Sequence, residues 1–290
     1  MKKPLFTGTC TALVTPFLNG QVNYPMLEQL LKRQVDAGIH AVVLAGTTGE
    51  SATLSDAEKV EIFQRAKDYV GDSCLIIAGT GSNDTAHSVA LSQAAEAVGA
   101  DALLVVSPYY NKATSEGLIA HYLAIAHAVQ IPIIIYNVPS RTGVDIPIPV
   151  YQVCSKVANI AGVKEASTDI SKILRIRTEV SSDFSVWAGN DNMTVPVIAL
   201  GGQGVISVLS NIQPELTQAM TLSALDGDFD TAAALQTDLF PLTDLLFCEV
   251  NPIPVKAAMK YIGYDCGSCR LPLTDLTAEH QAQLKLVLEQ

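Results

Sequence analysis

The chain has 290 residues, of which 49% are hydrophobic and 16% charged, and its formal net charge is −11. That composition supports a large buried core and excludes a disordered chain. No basic cluster interrupts the acidic balance, which argues against nucleic acid as a partner and requires any anionic ligand to find positive charge locally.

The opening stretch MKKPLFTGTC carries lysines without an apolar run behind them, so no secretory signal is predicted. No apolar run approaches the ~18 residues that span a bilayer. A soluble, cytoplasmic protein without a membrane partner is expected. The first predicted strand is CTALVTP, from Cys10. YPMLEQLLKRQVDAG follows, with Met26, Leu27, Leu30, Leu31 and Val35 on one helical face and Gly38 as the stop. The second strand lies in AVVLAGTTGE, from Ala41. SDAEKVEIFQRAKDYVG opens on Ser55 and Glu58 in capping-box spacing and closes at Gly71. Further apolar runs start at Cys74 (CLIIAGTG), Asp101 (DALLVVSPYY), Ile131 (IPIIIYNVPS), Ile160 (IAGVKEAS), Phe184 (FSVWAGND) and Gln203 (QGVISVLS).

Eight nearly all-apolar runs alternating with helical patterns predict an α/β protein with a parallel sheet, and eight strands close a (β/α)8 TIM barrel. An open doubly wound sheet is the alternative, without a GxGxxG fingerprint to favour it. After about Gln213 the strand signals stop. Helices are predicted beyond, with breaks near Asp226–Asp228 and at Pro252 and Pro254, and a last helix from about Thr277. The expected organisation is a barrel over 1–224 and a C-terminal helical region over 225–290.

In such a barrel the functional face is the C-terminal end of the strands. The second strand ends in Thr47, Thr48, Gly49 and Glu50, and the fourth in Ser107, Tyr109 and Tyr110. The fifth offers Tyr136 and Asn137, with Arg141 just beyond. The sixth offers Lys164 and Glu165, the seventh Gly189, Asn190 and Asp191, the eighth Ile206, Ser207 and Ser210. No histidine falls at a strand end, and His40, His87, His121, His127 and His280 show no metal spacing. Metal catalysis and a serine triad are therefore not expected. The six cysteines are scattered, and Cys266 and Cys269 form a CxxC without the second pair that a zinc site wants. GGQG from Gly201 leads into a strand, where a phosphate loop would follow one.

A lysine in an apolar barrel mouth suits Schiff-base chemistry, because loss of solvation favours the neutral amine that attacks a ketone. Tyrosine and threonine hydroxyls pass protons, and arginine holds a carboxylate at two points. Each residue also has a plainer reading. Lys164 alone is equally a solvated strand end paired with Glu165. GTTGES is equally a capped turn, SPYYN aromatic packing and Arg141 a loop charge. Their common placement at strand ends is what favours the chemical reading.

Taken together, GTTGES, SPYYN, YNVPSRTG, GVKEAS, GGQGVISV and NPIPVK resemble the dihydrodipicolinate synthase (4-hydroxy-tetrahydrodipicolinate synthase) family, among the pyruvate-dependent class I aldolase-like barrels related to N-acetylneuraminate lyase. The resemblance runs in order along nearly the whole chain. It implies condensation of pyruvate with aspartate 4-semialdehyde, the committed step of lysine and diaminopimelate synthesis, with no cofactor. It implies a tetramer made of tight dimers. Carried over by position, Lys164 would form the Schiff base and Tyr136 would transfer protons above it. Thr47 would link Tyr136 to Tyr110 of a neighbouring subunit. Thr48 would hold the pyruvate carboxylate, Arg141 the semialdehyde carboxylate, and Gly189 and the Ile206 carbonyl would line the site. The nearest rival keeps the Schiff base with a sugar acceptor, against which Arg141 stands; a non-catalytic barrel would have no use for all five of Lys164, Tyr136, Thr47, Tyr110 and Arg141.

The resemblance also places an inhibitory lysine site at Ser51, Ala52, Asp56, Lys59, Asn83, His87 and Tyr109. Lysine-sensitive members carry an acidic residue at the position of His87 and a histidine at that of Lys59, so weak or absent inhibition is expected here. Asn190 stands where some members have Asp.

Overall fold

A computed structural model describes residues 3–289. Eight parallel strands form a closed barrel. They are β1 (Gly8–Ala12), β4 (Ala41–Leu44), β5 (Leu75–Gly79), β6 (Ala102–Val106), β7 (Ile133–Asn137), β8 (Ile160–Glu165), β9 (Ser185–Ala188) and β10 (Gly204–Ser207). Each of the eight apolar runs supplies one. Closure is direct: Cys10 of β1 aligns with Ala41 of β4 on one side and with Ile206 of β10 on the other.

The predicted helices form with the expected ends. In α1 (Tyr24–Asp36) the Asn23 side chain accepts from the Met26 amide at 3.2 Å, and Leu27, Leu30 and Leu31 are buried. In α2 (Asp56–Val70) the Ser55–Glu58 capping box is complete in both directions, and Gly71 ends the helix. One small element escaped the strand pattern. Phe17–Leu18 (β2) and Gln21–Val22 (β3) pair as an antiparallel hairpin across Asn19 and Gly20, both at positive φ. Asn-Gly is the sequence that such a turn favours.

Two apolar layers result. Inside the barrel lie Cys10, Val43, Ile77, Leu104, Ile134 and Ile206. Phe6, just before β1, stacks on Trp187 with centroids 4.9 Å apart and takes the indole N–H on its carbonyl at 3.3 Å. Between barrel and helices lies a second, larger layer. It runs without a break into the C-terminal helices: Leu239 and Leu242 of α10 (Phe229–Leu245) and Val255 and Met259 of α11 (Ile253–Tyr261) belong to it. The eighth barrel helix, α9 (Pro214–Leu225), separates from α10 at the predicted break, and α12 (Ala278–Leu288) begins after Thr277. Among the described residues no helix is long and apolar enough to cross a membrane.

Candidate active site

The position of Lys164 is set by an irregularity in β8. Ile133 pairs with Ile160, yet Ile134 pairs with Gly162, so Ala161 is an extra residue. Ile160 and Val163 both face the outer layer, three residues apart, which strict alternation forbids. Such bulges re-aim the side chains that follow. Lys164 and Ala166 consequently point inward, with Lys164 level with Tyr136 of β7 and Trp187 of β9. A side chain at Gly162 would lie 2.2 Å from the Ser185 carbonyl, so the strands approach this closely only with glycine there.

Lys164 is 5% exposed and Tyr136 6%. The Lys164 Nζ sits 4.4 Å from the centre of the Tyr136 ring. Glu165 points the other way, into the outer layer. It accepts from Asn137 Nδ2 at 2.7 Å, the Ser167 amide at 2.9 Å and the Tyr151 hydroxyl at 3.2 Å, with Lys172 Nζ 3.9 Å away. Burial pushes the Glu165 carboxyl above its usual range, against the opposing pull of Lys172. The alternative of a Lys164–Glu165 surface pair is thereby excluded: the two occupy opposite faces of one strand.

Above Lys164 is a cavity of about 140 Å³ lined by Thr47, Thr48, Tyr136, Arg141, Lys164 and Gly189 among others. It brings together six of the eight residues predicted for catalysis and substrate binding. Gly189 donates its amide to the Glu165 carbonyl at 2.7 Å, and a side chain there would press to 2.6 Å on Ala166. Ile206 is fully buried inside the barrel; Val208 lines the cavity in its stead. Tyr110 lies apart from this cavity, 90% exposed, with its backbone at a left-handed φ of 71°. Asn190 donates to the Ala166 carbonyl at 3.2 Å, tying the ends of β8 and β9 together as an aspartate could not.

A larger groove of about 750 Å³ shares Thr47, Tyr136 and Arg141 with the small cavity. Its other end holds Ser51, Ala52, Asp56, Lys59, Asn83, His87 and Tyr109, all seven of the predicted regulatory positions. His87 Nε2 is 2.8 Å from Asp56, and Lys59 Nζ is 3.9 Å from the same carboxylate. Burial lowers the Lys59 ammonium pKa, which Asp56 partly offsets.

The model of the dihydrodipicolinate synthetase family matches residues 5–290. The chain belongs to this family. The 4-hydroxy-tetrahydrodipicolinate synthase of Acetivibrio thermocellus is 45% identical over 289 residues, covering 100% of this chain and 98% of that protein. The solved dihydrodipicolinate synthase of Aquifex aeolicus superposes with a TM-score of 0.96 at 42% identity, covering 98% of this chain and 97% of that one. A monomeric dihydrodipicolinate synthase variant superposes with a TM-score of 0.95 at 38% identity, covering 98% and 96%.

Two residues around this synthetase-family site, and the distant partners of the strand-end Glu50, were not legible as such in the sequence. Asn251 lines both the cavity and the groove, and Phe247 lines the cavity. Both come from the C-terminal region. Glu50, at a left-handed φ of 57°, forms a fully buried ion pair with Lys256 at 2.6 Å and accepts the Arg270 amide at 2.8 Å. The loop that carries Thr47 and Thr48 is thus anchored from a segment some two hundred residues later. NPIPVK stood out as a string, but nothing local in it signals its partner. Among the described residues no cluster of His, Cys, Asp and Glu could hold a metal ion. Cys266 and Cys269 are free thiols, both pushed up to about 12 chiefly by burial.

Proposed function

We propose that this protein condenses pyruvate with L-aspartate 4-semialdehyde through a Schiff base on Lys164, giving 4-hydroxy-tetrahydrodipicolinate. The observation that carries the reading is the Lys164 amine itself. It is buried against Tyr136 in a small cavity, and no carboxylate of the described residues is within ion-pair distance. A structural lysine so placed would lack a direct carboxylate partner, the buried Asp191 acting on it only at longer range. A nucleophilic lysine needs that environment.

The Lys164 amine attacks the pyruvate ketone, and loss of water leaves an iminium. A methyl proton then passes to Tyr136 while its electron pair flows into the iminium, forming an enamine. The enamine carbon then bonds to the semialdehyde carbon, whose oxygen takes up a proton. Attack of the substrate's own amino group on the iminium closes the ring and frees Lys164. Tyr136, whose ring centre lies 4.4 Å from the Lys164 amine, carries these proton transfers, in relay with Thr47 and with Tyr110 from a second subunit. Thr48 takes the pyruvate carboxylate. Arg141, at the rim, takes that of the semialdehyde, and Gly189 borders the reacting atoms. The assembly that this relay requires is a dimer, within a tetramer made of two, in the cytoplasm.

Borohydride trapping with pyruvate tests the reading, with intact mass and peptide mapping as readout. A single reduced pyruvyl adduct on Lys164 is expected, and in unreduced protein turnover of pyruvate with aspartate semialdehyde. A folded protein that yields no adduct would remove the proposal.

A further inference from the structure

Thr48 and Arg141, the two candidate carboxylate ligands, meet at one residue to which no role has been assigned. Asn251 is 5% exposed and Thr48 2%. Asn251 Nδ2 donates to Thr48 Oγ1 at 3.0 Å. The Asn251 main-chain carbonyl accepts from Arg141 Nη2 at 3.1 Å. Asn251 Oδ1 is buried and makes no hydrogen bond. A buried, unsatisfied amide oxygen is costly and uncommon, and calls for a reason.

The reason lies in the single proton of a hydroxyl. By receiving the amide N–H, Thr48 Oγ1 fills an acceptor position and keeps its own proton free. The reversed amide would satisfy Oδ1, but would take that proton away from the cavity. We infer that Asn251 is a positioning residue for the ketoacid: its side-chain amide holds the Thr48 hydroxyl as a donor toward the substrate carboxylate, while its carbonyl steadies Arg141. The inference rests on the proposed pyruvate reading of the cavity. The two arms of Asn251 are separable, because side-chain substitution leaves the carbonyl in place.

Steady-state kinetics of the full chain, varying each substrate in turn, test this with Asn251→Ala, Asn251→Asp, Thr48→Val and the Thr48→Val/Asn251→Ala pair. Asn251→Ala is expected to raise the pyruvate KM by about tenfold, with the semialdehyde KM held within about twofold. Asn251→Asp keeps the side chain's shape, so it reports even if the alanine variant does not fold. Its carboxylate accepts the Thr48 proton and faces the ketoacid with like charge, so its effect is expected to be larger. In the Thr48→Val background, Asn251→Ala is expected to add nothing. Unchanged pyruvate KM in both Asn251 variants, equal changes for both substrates, or full additivity with Thr48→Val would each overturn the inference. Absence of a trapped pyruvyl adduct in the unsubstituted protein would instead overturn the reading beneath it.

Discussion

At the scale of single residues, function turns on which face of β8 a side chain occupies. Lys164 and Glu165 are neighbours in the chain, but one meets the cavity and the other a sealed outer network. Lys164→Ala is expected to abolish the trapped adduct and lower kcat by at least ~10³-fold, whereas Tyr136→Phe, which keeps the ring, costs roughly 10²–10⁴-fold. Rapid-mix trapping and steady-state assays separate the two. The groove's far end yields a second expectation. Its Asp56 carboxylate is already engaged by His87, and the buried Lys59 adds a cation beside it. A bound lysine would find its ammonium opposed there and without a free carboxylate. Weak or absent inhibition is expected in a lysine titration, and half-inhibition below roughly 1 mM would contradict it.

At the scale of elements, the β4 loop and the C-terminal helices hold each other. The Lys256 side chain is 3% exposed and that of Glu50 1%. Lys256→Met leaves the carboxylate buried without its cation, so a loss of roughly 3–5 kcal/mol is expected in urea unfolding. Adding Glu50→Gln should restore much of it, since the amide oxygen still accepts from Arg270. A second element-level expectation concerns α4 (Ser115–Ala128). His121 packs there with Nδ1 2.9 Å from Thr85 Oγ1 and Nε2 unpaired. Burial lowers its pKa from 6.5 to about 4, against a smaller upward pull from Asp84. The folded imidazole stays neutral where the unfolded one is protonated. Stability is therefore fully present above pH 6.5 and falls as the pH drops towards 4, by up to ~3 kcal/mol from this group. His121→Gln should flatten that dependence in urea melts run across the window. An unchanged slope would assign acid sensitivity elsewhere.

At the scale of the whole molecule, we propose the division into a barrel over 1–224 and a helical region over 225–290. These would be parts of one folding unit, because the outer apolar layer and the Glu50–Lys256 pair both cross that boundary. Tyr110 bears on assembly. A large aromatic at left-handed φ and 90% exposed is poorly used by an isolated chain. If it completes the relay of a second subunit, dilution through dissociation should lower activity per chain while circular dichroism stays constant. Sedimentation and assay at matched concentrations check this, and a fully active monomer would rule it out.

The sequence by itself determined the eight strands, the helices between them and the residues at the strand ends. These are written in local signals: apolar runs, helical periodicity, caps and stops. The tertiary structure decided what local signals do not contain. Strands buried on both faces carry no alternation, so the inward direction of Lys164 had no trace in IAGVKEAS; a one-residue bulge at Ala161 sets it. The meeting of Asn251 with Thr48, 203 residues apart, was equally unreadable. A hydrogen bond between distant segments is fixed by how the C-terminal helices pack on a closed barrel, and neither partner's neighbours in sequence register it.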